Sequence, residues 1–414
     1  SLPEASRAAF SQLVWYPFRG TELMNRMTLG GQLNRQYARQ RRAATNRVAD
    51  EVRACHDSLE LITEEYNSLL GGKWRHMMSL RQNYDRTSAY FQLPNLEHYD
   101  PQGAPAPEVA VEGEDASGTR SYHALPVFDR YLRQTRWFEI YNTGNGMVDW
   151  KAKPSAPWIL LSASEGSTPC EDRIEVCIDW SKLPEESNPL GEIRIQANGR
   201  EETILVSVFN PAVPTRHELE GRYVQSDGHV AIPADGYHRI TGNRTLTIKP
   251  VPGLAPRGSA LQLGDPVGPL QNYRDENTPS VEYDFYCFDA GSVDVYTCVL
   301  PLFPVSTDRD FRLPENTNSD TKYSVQIDNG AIATPSSSHV EYSQIWYESV
   351  LRNSVVNKST LHIDKPGLHT LRIRTGDPGM VIQQIVIDFG GLKRSYLGPT
   401  STRVVPTGYE NRNN

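Results

Sequence analysis

Between Leu361 and Pro399 apolar and polar positions alternate twice, on either side of Asp377-Pro378-Gly379. Leu371 and Ile373 alternate with Arg372 and Arg374, while Val381, Ile385 and Ile387 follow the break. This pattern predicts two adjacent strands, each with one face buried. Lys365-Pro366-Gly367 sets a tight turn ahead of the first, since Pro presets φ and Gly accepts positive φ. Strands of this kind need a sheet to close against, and the rest of the chain is read for what supplies it.

Upstream the period changes. Val48, Val52, Cys55, Leu59, Ile62, Tyr66 and Leu69 are spaced by alternating four- and three-residue steps, one stripe along a helix that Gly71-Gly72 stops as a C-terminal cap. Phe10, Leu13 and Val14 form a shorter apolar face ended near Pro17, and Leu23, Met24 and Met27 begin another segment. One seam per helix predicts a small antiparallel bundle over residues 1–92. Residues 93–125 turn to Pro, Gly and acids and read as a connecting segment. Short strand-like runs follow at Trp137–Tyr141, Trp158–Leu161, Arg173–Ile178, Gly191–Ile195 and Ile204–Phe209, with Asn-Gly turns at 145–146 and 198–199. They predict an antiparallel β-sandwich over 126–215. A second all-β unit is expected over 216–414, with strands at Thr245–Ile248, Ser259–Leu263, Val281–Phe288, Val293–Leu300 and Tyr323–Ile327, and with a helical or looped insertion at 336–357 carrying Trp346 and Tyr347.

At 414 residues the chain is long enough for several domains. A net charge of -8 argues against nucleic acid or an anionic membrane as main partner. No apolar run approaches the ~18 residues of a membrane span. The opening SLPEASRAAF lacks the apolar core of a signal peptide and has no Met, the expectation being a processed or truncated product. Cys55, Cys170, Cys177, Cys287 and Cys298 cannot all pair internally, and half-buried free thiols are the simpler reading. Two sequons, Asn243-Arg-Thr245 and Asn357-Lys-Ser359, permit glycosylation, which tilts the expectation toward an extracellular protein.

Candidate chemistry is sparse. Seven Arg stand between Arg26 and Arg53 against two acids, a pattern read as a solvated helix face. Lys73-Trp74-Arg75-His76-Met77-Met78 reads as a plug at the end of the bundle, and Trp137, Trp150, Trp158 and Trp180 as core or edge residues before a sugar platform. His217-Glu218 lacks a second His, no Cys spacing fits a metal site, and no nucleophile elbow or phosphate loop appears. Glu282 and Asp284 share one strand face, as carboxylates on many strand surfaces do. No catalytic residue and no metal ligand is assigned.

Several segments, in order along nearly the whole chain, resemble the C-terminal half of the glycoside hydrolase family 115 α-glucuronidases. They are Ala9–Val14, Tyr37-Ala-Arg-Gln-Arg41, Gly72–Met78, Ile178-Asp-Trp-Ser181, Trp346 with Val350 and Asn353, Pro366–Leu371, Asp377-Pro-Gly379 and Ser395–Pro399. The resemblance implies a multidomain α + β protein. Its helical bundle would be followed by an immunoglobulin-like β-sandwich and a second, galactose-binding-like sandwich. It further implies the mainly structural part of a xylan α-1,2-glucuronidase, which releases 4-O-methyl-glucuronic acid from glucuronoxylan without a cofactor. The catalytic barrel would lie outside this chain. Implied partners are that barrel, glucuronoxylan and a second copy in a homodimer; nucleic acid and membrane are not among them. Trp346 and Tyr347 are the candidate sugar contacts. The sequence departs from the family pattern at Ser79–Tyr84, at Pro233, where related modules carry a calcium-binding Glu, and at Pro399-Thr-Ser401; no calcium is expected. The alternative is a stand-alone protein binding xylan or uronic-acid-containing glycans.

Overall fold

The computed structural model describes residues 2–79, 92–114, 122–243, 246–265, 267–302, 322–337, 339–393 and 395–406. Most of the Ser79–Tyr84 departure, part of the 93–125 segment, residue 338 of the insertion, and Arg244 and Thr245 of the first sequon and of the strand expected at Thr245–Ile248 lie outside the described residues. The chain divides into two compact units, Ser1–Phe128 with Gln134–Phe209, and Asp129–Arg133 with Asn210–Asn414.

The first unit opens with α1 (Glu4–Phe10), a π-helical turn (Ser11–Trp15) and α2 (Tyr16–Arg39), followed by α3 (Thr45–Gly72). Pro17 does not end the helix, as the sequence suggested; it sits in the first turn of α2. The wider π turn lies directly before it, where an α-helical i−4 carbonyl would meet the proline ring. The stripe on α3 is buried from Val48 through Tyr66, each large aliphatic side chain contributing ~1.5–3 kcal/mol, and packs on Leu23 and Met27 of α2. Helix α2 approaches closely because Gly30 faces Val52, where a Cβ would come within 2.6 Å of Cγ2. Leu69 falls outside the stripe: Leu69, Leu70 and Gly71 have left helical geometry, so the stop comes before the double glycine.

The first sandwich uses β1 (Pro107–Val111), β2 (His123–Ala124), β3 (Phe128–Asp129), β4 (Arg136–Asn142), β5 (Val148–Pro154), β6 (Ile159–Leu161), β7 (Glu165–Thr168), β8 (Glu171–Ile178), β9 (Leu190–Ala197) and β10 (Arg200–Phe209). One sheet runs β1-β4-β8-β6 and the other β2-β10-β9-β5-β7. Phe138, Ile140, Ile174 and Val176 of the first meet Val148, Ile193, Ile195, Ile204 and Val206 of the second in one core. The segment expected only to connect thus supplies a strand: Pro107-Glu-Val-Ala-Val111 alternates buried and half-buried positions and pairs with β4.

The second unit contains β11 (Tyr223–Val224), β12 (His229–Pro233), β13 (Arg239–Thr241), β14 (Ile248–Pro252), β15 (Ser259–Leu263), β16 (Ser280–Cys287), β17 (Gly291–Val299), β18 (Tyr323–Ile327), α4 (Gln344–Arg352), β19 (Val355–Ile363), β20 (Gly367–Thr375) and β21 (Met380–Asp388). Its front sheet runs β11-β16-β20-β18 with β13 beside β16; its back sheet runs β14-β15-β21-β17-β19 with β12 beside β21. Tyr283, Phe285, Val325, Leu371 and Ile373 from the front meet Val230, Leu261, Val295, Ile382, Ile385 and Ile387 from the back in a single core. Tyr131, fully buried, belongs to this unit: its hydroxyl donates to the Pro214 carbonyl at 2.8 Å and its ring lies 5.7 Å from Phe288.

The two alternating runs read first do not pair with each other. β20 lies in the front sheet and β21 in the back, so Asp377-Pro378-Gly379 is an arch between sheets. Asp377 Oδ2 accepts from the Lys322 amide at 3.0 Å and the Gly379 amide donates to the Leu263 carbonyl at 2.8 Å, tying the arch to both layers. Val381 faces away from the core; Ile382 faces in, and an irregularity around Gln383 restores Ile385 and Ile387 to the inner face. All five cysteines are free.

Candidate functional site

Trp346 and Tyr347 both lie on α4, a nine-residue helix within the expected insertion; β19 begins at Val355, before the insertion was expected to end. Ser343 caps the helix, its Oγ accepting from the Trp346 amide at 3.2 Å, and Asn353 ends it in the left-handed region at φ 50°. Gln383 Nε2 donates to the Asn353 carbonyl at 3.1 Å and the Leu254 carbonyl at 3.0 Å, fastening the end of the helix to the back sheet.

The structure adds Tyr342 to the two residues named from sequence. Its ring centroid lies 5.2 Å from Trp346 and 6.4 Å from Tyr347, and Trp346 meets Tyr347 edge-on at 5.1 Å. Tyr342 is 70% and Tyr347 49% exposed, with Trp346 partly covered between them. Ser349 is the one buried residue of α4, while Ile345, Val350 and Leu351 stand in solvent. Such a cluster can stack on the C–H faces of a sugar, its hydroxyls and indole N–H reaching polar groups at the rim. Tyr342 was legible only in part: it stands about one helical turn before Trp346, but it precedes the cap.

The other candidates resolve into structure. Trp150 and Trp158 are 3% exposed in the first core, Trp180 packs against that core, and Trp137 carries the Arg173 guanidinium 4.0 Å above its ring. Of the arginine-rich stretch, Arg42 is buried and Arg26, Arg47 and Arg53 pair with acids. In the Lys73–Met78 segment Lys73 lies over Trp74 at 5.0 Å, and Asn67 Nδ2 holds the Met78 carbonyl at 2.8 Å. His217 and Glu218 fall in a short 3₁₀ turn where Thr215 bonds hold the Glu218 carboxyl below its usual range.

Glu282 and Asp284 do share the outer face of β16, but as anchors of an ion-pair network. Glu282, 3% exposed, accepts from Arg239 Nε and Arg372 Nε, each at 2.6 Å, and from Thr241 Oγ1 at 2.8 Å. Burial pushes its carboxyl up, but the bonds from Arg372 and Thr241 outweigh this and hold it below its ordinary value. Asp284 is likewise lowered, against burial, by Arg239 and Thr370. Among the described residues His56, Asp57 and Glu60 form one group of potential metal ligands within 4.8 Å of one another, on the open surface of α3. A groove of about 690 Å³ on the first sandwich is lined by Asp149, Trp150, Lys151, Glu165, Gln196 and Arg200. Lys151 and Glu165 close on each other at 3.5 Å.

With this geometry in place, residues 222–401 match the glycosyl hydrolase family 115 C-terminal domain. No curated protein matches the chain. A family GH115 4-O-methyl-α-glucuronidase with specificity for decorated arabinogalactans is structurally similar over 93% of this chain and 30% of its own, at 15% identity and a TM-score of 0.45. The chain thus spans about a third of that enzyme. The C-terminal family 6 carbohydrate-binding module of a laminarinase from Zobellia galactanivorans aligns over 39% of this chain and 98% of its own, with 11% identity and a TM-score of 0.24. A family 35 module from Clostridium thermocellum aligns over 38% and 96%, with 14% identity and a TM-score of 0.23.

Proposed function

With residues 222–401 forming a glycosyl hydrolase family 115 C-terminal domain, we propose that this chain is the C-terminal, mainly structural portion of a xylan α-1,2-glucuronidase that removes 4-O-methyl-glucuronic acid side chains from glucuronoxylan. The family match carries this reading. The hydrolysis itself, cofactor-free acid/base chemistry by a carboxylate pair, belongs to a catalytic barrel on polypeptide outside these residues.

The N-terminal helices supply physical support for such a partner. No side chain of α1 or the π turn is buried, yet Leu13 and Phe18 are each 72% exposed, with Val14, Trp15 and Phe10 beside them. A contiguous apolar surface of this kind calls for cover, and the barrel portion is the cover proposed. The aromatic cluster on α4 reaches toward sugar, in a homodimer as a wall of the second copy's substrate cleft. A polymeric substrate of plant cell walls requires that the enzyme act outside the cell.

The test is complementation. Combined with a family 115 barrel portion, the chain should restore release of 4-O-methyl-glucuronic acid from glucuronoxylan, and Trp346→Ala with Tyr347→Ala should lower that rate. Binding of glucuronoxylan by the chain alone, with no gain in activity on adding the barrel, supports the stand-alone carbohydrate-binding reading instead.

A further inference from the structure

The outer face of the front sheet in the second unit is polar from Ser280 to Asp284 and from Thr370 to Arg374, and cross-strand register orders it. Thr241, Ser280, Arg374 and Ser324 lie in one row, and Arg239, Glu282, Arg372 and Gln326 in the next. In the second row charge is matched, since Glu282 holds both arginines. In the first row it is not. Arg374 is 4% exposed, its Nη1 donates to Gln326 Oε1 at 3.1 Å, and among the described residues its buried Nε has no acceptor.

A guanidinium withdrawn from water is costly, and buried donors are seldom left unpaired. Burial first, and the adjacent Arg372 second, loosen the hold of Arg374 on its proton, against an opposing pull from Glu276, Glu282 and Asp275. Beside it stands Tyr273, partly exposed. Its ring rests on Gly376, where a Cβ would come within 2.5 Å of Cδ1, and its carbonyl accepts from Ser324 Oγ at 2.9 Å. The loop bearing Tyr273 also carries Asp275 and Glu276, both exposed.

We propose that Arg374, Gln326 and Tyr273 form a binding site for a uronic acid residue, the sugar carboxylate taking the unspent edge of the guanidinium and the ring face lying on Tyr273. A planar carboxylate, like a phosphate, matches the guanidinium fork in a way that a neutral sugar does not. The site is separate from the α4 cluster. Its anionic character stands on geometry alone; that the anion is a sugar acid rests on the proposed function.

Calorimetry on the whole chain with glucuronate, glucose and acetate tests it. Saturable glucuronate binding is expected, at least tenfold tighter than glucose or acetate. Arg374→Gln should weaken it at least tenfold. Tyr273→Ala, on a surface loop where loss of folding is not expected, should weaken it with the melting temperature unchanged. Absence of saturation, acetate binding as tight as glucuronate, or undiminished binding by both variants overturns the proposal. So does a site filled from within, seen as glucuronate binding by Glu276→Gln alone. Restored glucuronidase activity without glucuronate binding by the chain would overturn this site and leave the proposed function standing; the reverse pair of results would do the opposite.

Discussion

Arg42 and Glu139 form an ion pair almost free of solvent, joining the turn between the two long helices to the middle of β4: Nη1 lies 2.7 Å from Oε2, with the two side chains 2% and 7% exposed. The guanidinium is held between aromatic faces, 4.3 Å from the Tyr37 ring and 4.1 Å from Tyr141. Glu139 also accepts from Arg173, whose side chain is 55% exposed. Removing Glu139 therefore strands Arg42 far more than Arg173. Glu139→Ala should destabilise the first unit by ~3–5 kcal/mol, because it leaves Arg42 as an uncompensated buried charge, and Arg42→Ala by less, because Arg173 still holds Glu139. Replacing both together, as Arg42→Met with Glu139→Leu, should cost less than the sum. Urea unfolding followed by far-ultraviolet circular dichroism measures all three.

The aromatic cluster on α4 makes the opposite prediction for stability. Tyr342 and Tyr347 are exposed, their rings meeting Trp346 and each other. Tyr342→Ala and Tyr347→Ala should each change unfolding free energy by no more than about 0.5 kcal/mol, the range of ordinary surface substitutions. A fall in glucuronoxylan turnover by the complemented enzyme without a shift in melting temperature is the expected result. Unchanged turnover in both variants would rule out a sugar contact there.

Asn357 should escape glycosylation despite its sequon. It lies on β19 with its side chain turned inward, Nδ2 donating to the Tyr323 hydroxyl at 2.9 Å, and Tyr323 in turn bonds Thr297. A glycan on that nitrogen would break the bond and open the sandwich. Intact-mass analysis of protein secreted from a glycosylating host should show no glycan at Asn357, and Asn357→Ala should cost ~1 kcal/mol through the one lost hydrogen bond, the Tyr323 hydroxyl keeping Thr297.

The Glu282–Asp284 network sets an acid limit on stability. Both carboxyls titrate below their ordinary values in the folded protein. Their contribution is therefore complete above the unfolded-state values, about 4.3 for Glu and 3.9 for Asp. It is lost as pH falls from there through the lower folded values. Unfolding midpoints recorded between pH 6 and pH 3 should drop steeply below about 4.5, and the drop should be shallower in Glu282→Gln.

Periodicity exposed what depends on one face of one element. Six of the seven stripe residues on α3 are buried as their spacing predicts, because helix packing reads the same face turn after turn. Leu371 and Ile373 face the core for the same reason. What failed was partnership. Nothing in Leu361–Pro399 tells a hairpin from an arch, since Asp-Pro-Gly serves either and the choice is made by Lys322 and Leu263, distant in sequence. Pro17 misled because a π turn hides its cost, and β1 was masked by the Pro and Gly around its alternation. Of the candidate site, Trp346 and Tyr347 could be named from sequence as an aromatic pair, but Tyr342 joins them only through the bend before the cap. The burial of Arg374 was invisible, since a strand arginine is ordinarily solvated and its sequence neighbours do not show what packs around it.

Strand β21 hydrogen-bonds to β12, β15 and β17, and so occupies the middle of the back sheet although it comes last in chain order among the described strands. During synthesis the earlier strands of that sheet must wait, their inner edges unsatisfied, until Met380–Asp388 has left the ribosome. Folding of this unit thus waits for that strand, and a nascent chain stalled before Met380 should stay protease-sensitive across the whole of it.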